Sequence, residues 1–317
     1  MRGGEKARLL DTLKYYFKDE YKSQYAERLT VIGGDVTKPF FGMDDISYIS
    51  AAKETGIIIH CAADVRHFAA DDGSLDTNVE GVRRVIAFAS LSEAMLCHIS
   101  TLSVAGDNFI KGIQDKKREF TERDFYIGQN YNENIYVRGK FLAEAEVIKA
   151  CEAGIPAKIF RIGRLVGRAK DGVFQKNPEA NTFYHLINSL RAIKAVPVSL
   201  KDILIDLTPV DICVEAIRML IDAPYRVAHI FEDNPLTFEE LAQVIVPEAE
   251  LLDNSDFTAR LMKASGVSRD ISVELWNKYL LYPPEINPDS RLTHKRLRSL
   301  GYRWDTVSPE ITLSSFI

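Results

Sequence analysis

Hydrophobic residues along this chain follow two alternating patterns, one helical and one strand-like. From Lys6 to Phe17, apolar side chains such as Leu9 and Leu13 recur at helical spacing. The pattern predicts further helices at 44–53, at 75–90, from 136 to near 154 and from 208 to about 221, and strands at 29–32, 57–60, up to about 100, 157–162 and 227–231. Strands that alternate with helices of this length predict βαβ units and a Rossmann-like, doubly wound parallel sheet of the α/β class.

The pattern changes after residue 161. Gly, Arg and Asn become frequent between 163 and 181, which predicts a loop that crosses the mouth of an active site. Residues 107–134 form a second irregular stretch. The C-terminal third is helical and poor in strands, with capping-box spacing at Thr237 and Glu240 and a C-cap glycine at Gly301.

The length of 317 residues allows one large domain with a smaller appended lobe. The change of pattern assigns the Rossmann-like domain to 1–225. It assigns a mainly helical lobe to 226–317, with contributions from 163–200, and we predict that this lobe helps to bind substrate.

Composition excludes several classes of protein. The formal net charge of −5 argues against a general nucleic-acid binder, which would carry a basic balance or stripe. No stretch reaches the roughly 18 continuous apolar residues of a membrane helix, and the first residues lack the apolar core of a secretory signal. The four cysteines form no Cys-x-x-Cys pair, and the six histidines show no metal-ligand spacing. We therefore predict a cytoplasmic protein with free thiols and no metal site.

One predicted helix presents a tyrosine beside a lysine. Tyr136 and Lys140 are four residues apart, which puts their Cβ atoms about 5–6 Å from each other on one face. We expect the Lys140 ammonium to lower the pKa of the Tyr136 phenol, because a nearby positive charge favours the phenolate. Such a tyrosine can donate a proton to a carbonyl oxygen that receives hydride. The spacing alone is also typical of solvated neighbours.

A hydroxyl-rich segment precedes that helix. The strand-like run from Met95 leads into Ser100, Thr101 and Ser103. A hydroxyl at the carboxyl end of a parallel strand lies where open α/β sheets bind ligands. A capping or turn role is the alternative, but the order of the two segments favours the functional interpretation.

Seven motifs resemble the thioester reductases, a family of extended short-chain dehydrogenase/reductases. They are GDVTKP (34–39), HCAADV (60–65), STLSVAG (100–106), YVRGKFLAE (136–144), FRIGR (160–164), DGVFQKN (171–177) and LTPVD (207–211). Members of this family are the terminal reductase domains of nonribosomal peptide synthetases, carboxylic acid reductases and related enzymes. The likeness covers nearly the whole chain, and several motifs in the same order are far more specific than one.

The resemblance implies a role for each matched residue. Thr101 takes the place of the catalytic Ser or Thr that hydrogen-bonds the thioester carbonyl oxygen. Tyr136 is the implied proton donor, and Lys140 tunes Tyr136 and holds the nicotinamide ribose. The resemblance also implies the NADPH contacts. Asp35 and Val36 contact the adenine, and Cys61, Ala62 and Ala63 lie where small residues let the backbone approach the cofactor. Arg2 and Arg8 pair with the 2′-phosphate, a group that guanidinium binds well.

Two departures from the family matter. Gly139 stands where many members have Ser, at a cost to the helix of up to about 1 kcal/mol relative to Ala. Family members also begin with a strand, a Gly-x-x-Gly-x-x-Gly turn, a helix and a second strand, which this sequence lacks. We therefore expect a Rossmann-like sheet without its first βαβ unit, and a sequence that is a piece of a longer protein. The alternative is a lineage that has lost cofactor binding.

The function implied by the resemblance is NADPH-dependent reduction of an acyl or peptidyl thioester on a phosphopantetheinyl carrier domain. The product is an aldehyde, or an alcohol if a second round of reduction follows. A basic rim formed by Arg164, Arg168, Lys170 and Lys176 is a candidate carrier contact. Two alternatives stay open. One is another extended short-chain enzyme, such as a fatty acyl-CoA reductase or a nucleotide-sugar epimerase, and the other is a non-catalytic remnant that binds no dinucleotide.

Overall fold

A computed structural model describes residues 5–18, 20, 25–65, 75–113, 117–132, 134–264 and 268–316. Four parallel strands form the central sheet, in the spatial order β1–β2–β3–β4. These strands are β1 (Ile57–His60), β2 (Met95–Thr101), β3 (Ala157–Ile162) and β4 (Val227–Ile230). Because all four run the same way, their carboxyl ends lie along one edge of the sheet.

Helices cover both faces of this sheet, as expected of a doubly wound fold. The helices of the described residues are α1 (Glu5–Phe17), α2 (Asp45–Glu54), α3 (Gly81–Ser92), α4 (Ile135–Glu152), α5 (Thr182–Ile193), α6 (Val210–Ile221), α7 (Phe238–Ile245), α8 (Asn254–Lys263), α9 (Arg269–Leu281), α10 (Arg291–Ser299) and α11 (Pro309–Thr312). On one face, α3 and α4 bury Val85 and Val147 against Leu96 of β2. On the other, α6 and α10 bury Leu220 and Leu297 against the sheet.

A second hydrophobic core lies outside the sheet. Its centre is Trp276 on α9, which is fully buried and donates a hydrogen bond to Ser189 Oγ of α5 at 2.8 Å. The cluster takes residues from 166–207 as well as from the C-terminal helices. Short two-stranded pairings support it: Ala195–Pro197 with Glu250–Leu252, and Leu204–Ile205 with Leu236–Thr237. The α/β class and the helical character of the C-terminal third are confirmed, whereas the division at 225 stays a prediction.

Local signals were mostly reliable. The capping box joins Thr237 and Glu240 at the start of α7, and Gly301 takes a left-handed conformation after α10. The hydrophobic pattern did not predict α5, which follows the glycine-rich loop directly.

The predicted strand at 29–32 is wrong. The segment is extended at Leu29 but forms no strand ladder in the part of the chain that the structure describes. A strand is defined by its hydrogen-bonding neighbour, and the apolar pattern of this segment brings none with it. At the nearby edge of the sheet, Ile57 and Ile59 of β1 are 49% and 54% exposed. The two segments therefore do not pair with each other.

Candidate active site

Tyr136 and Lys140 lie on α4, as the spacing predicted. The helix begins after Asn134, whose side chain accepts a hydrogen bond from Val137 N at 2.9 Å and so caps a free backbone donor. Lys140 is only 6% exposed, and Tyr136 is half-buried. The first two turns of α4 therefore place both side chains in the interior, rather than on a solvated face.

Thr101 is the last residue of β2 and meets Tyr136 at the carboxyl edge of the sheet. Its Oγ1 accepts a hydrogen bond from Ser103 N and donates one to Ser103 Oγ, both at 3.2 Å. A further hydrogen bond joins the side chains of Thr101 and Tyr136. The structure thus brings together two hydroxyl groups that are 35 positions apart in the sequence.

The Lys140 ammonium lies against the end of β2, where Nζ donates a hydrogen bond to the carbonyl oxygen of Ile99 at 2.7 Å. Burial lowers the pKa of Lys140 to about 8, and the negative charge of Glu144 and the Cys61 thiol act in the opposite direction. The ammonium therefore remains the main form at neutral pH, close to the point at which it would lose its proton.

The expected lowering of the Tyr136 pKa is wrong. Burial raises the pKa of the Tyr136 phenol above its usual value of about 10, and the hydrogen bond with Thr101 offsets this only in part. Lys140 is not among the groups that shift the Tyr136 pKa, so the charge effect expected from the helical spacing is not found. The spacing could not predict how strongly the surrounding protein desolvates the phenol.

The implied adenine contacts, Asp35 and Val36, lie in an irregular turn before α2. The Asp35 carboxylate accepts hydrogen bonds from Thr37 N at 3.0 Å and from Thr37 Oγ1 at 2.6 Å. Val36 O accepts one from Arg84 Nη1 of α3 at 3.3 Å. The turn is therefore fixed by its own side chain and by a neighbouring helix.

Cys61, Ala62 and Ala63 follow β1 directly, with the first two exposed and the third half-buried. The next residue, Asp64, is held by the buried amide of Asn78, which accepts from Asp64 N at 2.7 Å and donates to Asp64 O at 2.9 Å.

This amide explains the departure at Gly139. A Cβ atom at Gly139 would lie 2.9 Å from Asn78 Nδ2, so a serine there would require Asn78 to move. Gly139 therefore leaves room for the Asn78 amide, which fixes the backbone at Asp64.

The two arginines implied at the 2′-phosphate have different outcomes. Arg2 lies outside the described residues. Arg8 lies on the exposed side of α1, a helix that contacts the loop after β3: Arg168 Nη1 donates to Tyr16 O at 2.8 Å, and Lys176 forms an ion pair with Asp11. The phosphate role of both arginines stays a prediction.

A cavity of about 380 Å³ lies between β1 and the segment before α2. Its lining includes Asp35, Val36, Ile58 and His60. The residues at both ends are chemically suited to a nicotinamide dinucleotide: Asp35 and Val36 line this cavity, and Thr101, Tyr136 and Lys140 lie beside the carboxyl end of β2. Between the ends the fit is incomplete, because the sequence has no Gly-x-x-Gly-x-x-Gly turn to hold the pyrophosphate.

Most of the expected basic rim is neutralised by the chain itself. Arg164 lies 3.6 Å from Asp206, Arg168 lies 2.6 Å from Asp171, and Lys176 pairs with Asp11. Paired arginines and lysines attract an acidic carrier less than free ones do. Lys170 is the remaining candidate of the four.

Sequence reasoning missed a buried polar group behind the catalytic candidates. Glu144 on α4 and Arg161 on β3 are 0% and 1% exposed and form an ion pair. The Glu144 carboxylate also accepts a hydrogen bond from Ser100 Oγ. A signal was present in the sequence. Glu144 continues the i+4 spacing of Tyr136 and Lys140, and Arg161 interrupts an apolar strand.

A family of NAD-binding domains, described as male sterility protein, matches residues 3–217, which is more than half of the chain. The chain belongs to this family. Family membership and the carboxyl-edge site agree on a nicotinamide cofactor and on an oxidoreductase.

Several solved structures that resemble this chain are reductase domains. A thiolation-reductase di-domain from an archaeal non-ribosomal peptide synthetase superposes with a TM-score of 0.82 at 26% identity, covering 98% of this chain and 67% of that one. The terminal R domain from the myxalamid PKS-NRPS biosynthetic pathway gives 0.81 at 22% identity, covering 100% of this chain and 80% of that one, and supports the fold alone.

Among curated proteins, the nonribosomal peptide synthetase asaC of Aspergillus flavus is 26% identical over 227 residues. The match covers 70% of this chain and 22% of that synthetase. The chain spans about a twentieth to a fifth of the length of the first curated relatives it matches. The expected resemblance to synthetase reductase domains is confirmed.

The described residues hold no group of three His, Cys, Asp or Glu side chains that could bind a metal ion. None of their helices combines the length and the apolar character needed to cross a bilayer.

Proposed function

We propose that this protein reduces an acyl or peptidyl thioester, presented on the phosphopantetheine arm of a carrier domain, to an aldehyde with NADPH. The observation that carries the proposal is the meeting of the Thr101 and Tyr136 hydroxyls at the carboxyl edge of the sheet, beside Lys140. The di-domain relative pairs a thiolation domain with a reductase domain, which supports a carrier as the partner.

The chain's own residues account for charge and proton movement. Thr101 and Tyr136 hydrogen-bond the thioester carbonyl oxygen and stabilise the oxyanion that develops on it. Tyr136 gives its proton to that oxygen. Because the pKa of Tyr136 is raised, this transfer is favourable only when the oxyanion is a stronger base than the phenolate. Lys140 remains close enough to stabilise the phenolate that is left behind.

When bound, the reduced nicotinamide supplies the hydride. Tyr136 and Lys140 would hold its ribose, and Asp35 and Val36 would contact its adenine. The tetrahedral hemithioacetal then loses the pantetheine thiol and gives the aldehyde, so that one NADPH and one proton are consumed per thioester. The preference for NADPH over NADH rests on Arg2 and Arg8 as ligands of the 2′-phosphate.

Purified protein with a carrier-bound thioester should oxidise NADPH and release an equal amount of free thiol. A terminal reductase domain of known structure, given the same loaded carrier, serves as the positive control. Absence of both products beside an active control would sink the proposal.

The same assay separates the alternatives. Faster turnover with acyl-CoA or a sugar nucleotide would indicate another extended short-chain enzyme. Calorimetric titration with NADPH tests the remnant interpretation, because saturable micromolar binding is incompatible with it. NADH in a parallel titration tests the choice of cofactor, and we expect weaker binding.

A further inference from the structure

A buried carboxylate lies one helical turn beyond Lys140. Ser100 Oγ donates a hydrogen bond to Glu144 Oε2 at 2.7 Å. Arg161 Nε donates to both carboxylate oxygens, at 3.0 and 3.2 Å, and Arg161 Nη2 forms a further hydrogen bond with Oε1. Burying two opposite charges costs several kcal/mol per ion, and only good geometry with additional hydrogen bonds offsets that cost. This carboxylate has both.

Arg161 is itself fixed on its far side. Its Nη1 lies 3.0 Å from His229 Nε2 on β4, and its guanidinium lies 4.7 Å from the centre of the Phe120 ring. Since guanidinium can only donate, His229 Nε2 accepts and Nδ1 carries the proton, which it donates to Asp289 O at 2.8 Å. His229 N also donates to Thr293 Oγ1 at 2.9 Å. The Glu144–Arg161 pair is therefore anchored to β4 and α10.

This pair connects the two elements that hold the candidate catalytic groups. Ser100 directly precedes Thr101 on β2, and Glu144 lies on the same helix as Tyr136 and Lys140. A single carboxylate thus ties the end of β2 to the middle of α4. A shift of either element would break a buried, charge-assisted hydrogen bond, which is about twice as strong as a neutral one.

Glu144 also determines the charge around Lys140. The other titratable groups near this ammonium are Tyr136, His60, His98 and Cys61. Burial lowers the pKa of His60 to about 4 and that of His98 well below its usual range, so both imidazoles are neutral at pH 7. Burial raises the pKa of the Cys61 thiol, which is therefore protonated. Glu144 is the nearby negative charge that opposes the desolvation of Lys140.

We propose that Glu144, clamped by Arg161, is a positioning residue that fixes Thr101 relative to the Tyr136–Lys140 pair and holds a negative charge one helical turn from the Lys140 ammonium. It touches no substrate and acts through Lys140 and Ser100. Its catalytic meaning rests on the function proposed above, but the ionisation of Lys140 can be measured without turnover.

The decisive measurement follows the side-chain NMR signals of Lys140 against pH, in protein with isotope-labelled lysine and with the signals assigned through Lys140→Arg. In Glu144→Gln the titration midpoint should fall by about one pH unit, as expected when an opposite charge at short range is removed. Glu146→Gln is the matched control: Glu146 lies on the same helix but pairs at the surface with Arg83 and Lys149, so the midpoint should not change.

An unchanged midpoint in folded Glu144→Gln would overturn the proposal. If that variant does not fold, the double variant Glu144→Gln/Arg161→Met replaces the pair without leaving a lone buried charge, and exchanges of this kind are often tolerated. A smaller fall of the Lys140 midpoint is expected there, because the positive charge of Arg161 is removed together with the nearer Glu144 carboxylate. A wild-type value would equally contradict the proposal.

Kinetics distinguish positioning from simple stabilisation. In Glu144→Gln, kcat should fall at least tenfold with unchanged KM for NADPH, and the alkaline limb of its pH profile should move to lower pH. A purely structural role would lower the melting temperature but leave that limb in place, which would also count against the proposal. If wild type oxidises no NADPH, the proposed function has failed, and the titration of Lys140 still decides the role of Glu144.

Discussion

The two sides of the parallel sheet are built very differently. Between β2 and β4, side chains such as Ile159 and Phe160 are 2% exposed, and the polar groups are joined by the Glu144–Arg161–His229 network. At β1, Ile57 and Ile59 are about half exposed, and a cavity separates the strand from residues 32–36. Parallel sheets normally have both faces covered, and β1 departs from that rule.

The difference separates the proposed catalytic groups from the proposed adenine contacts. The groups proposed to polarise and protonate the substrate lie on the covered side, where desolvation strengthens electrostatic effects. The groups proposed to bind adenine line the uncovered side, where little besides the turn at Asp35 organises the surface. Catalytic geometry and adenine binding should therefore respond to different substitutions.

The largest expected effect is on the chemistry. Tyr136→Phe removes the proton donor and should lower kcat by about 10²- to 10⁴-fold, with unfolding unchanged within about 1 kcal/mol because one partly buried hydrogen bond is lost. NADPH oxidation with a loaded carrier measures the rate, and urea unfolding checks the fold. Retention of more than a tenth of the activity would remove Tyr136 from its proposed role.

The next effect tests the covered side through stability. Arg161→Ala leaves Glu144 as an unpaired buried charge and should lower the free energy of unfolding by about 3–5 kcal/mol. Arg83→Ala is the control, because its pairs with Glu80 and Glu146 are at the surface and are worth about 0–1 kcal/mol. Chemical denaturation compares the two, and equal losses would contradict the contrast between buried and exposed pairs.

A pH effect compares the two sides directly. Burial lowers the pKa of His229 to about 3 and that of His60 to about 4, below the usual 6.5. The folded state therefore takes up these protons less readily than the unfolded chain, so stability is full above about pH 6.5 and falls as pH drops towards the folded pKa. Each histidine should contribute about 2 kcal/mol of loss between pH 7 and pH 5.

Urea unfolding at pH 7 and pH 5 gives the total loss of unfolding free energy. His60→Gln should reduce that loss by the contribution of His60 alone, which lies on the uncovered side. His185→Gln, at a half-buried position on α5 outside the central sheet, is the matched substitution. A His60 share much smaller than 2 kcal/mol would show that the β1 edge admits water more readily than its burial indicates.

The smallest effect concerns the edge itself. Ile59→Ala should change the free energy of unfolding by no more than about 0.5 kcal/mol, since the side chain is mostly in contact with solvent. Denaturation of the purified protein measures it. A loss above about 2 kcal/mol would mean that Ile59 is covered in solution, and the contrast between the two sides would then be lost.

Much of the fold was readable from local patterns. Continuous apolar runs predicted all four strands of the sheet, and capping residues such as Thr237 and Gly301 predicted helix ends, because these signals depend on near neighbours. The segment at 29–32 has the same apolar pattern and forms no strand, since pairing depends on a distant partner. The helix α5 was missed because the preceding glycine-rich loop resembled a longer irregular segment.

The candidate site was readable to a similar depth. Spacing placed Tyr136 and Lys140 on one face, and order along the chain associated them with Thr101. The sequence did not reveal Glu144 and Arg161 as a pair, because they are 17 positions apart and lie on two different elements, α4 and β3.

The sequence by itself determined the α/β class, the parallel order of alternating elements and the residues available for proton transfer, since periodicity and spacing are local properties. Only the tertiary structure decided that the Tyr136 pKa rises instead of falling, that Lys140 faces Ile99 O, and that Glu144 joins α4 to β2. Burial and long-range contacts set these features, and neither is recorded in the spacing of residues along a chain.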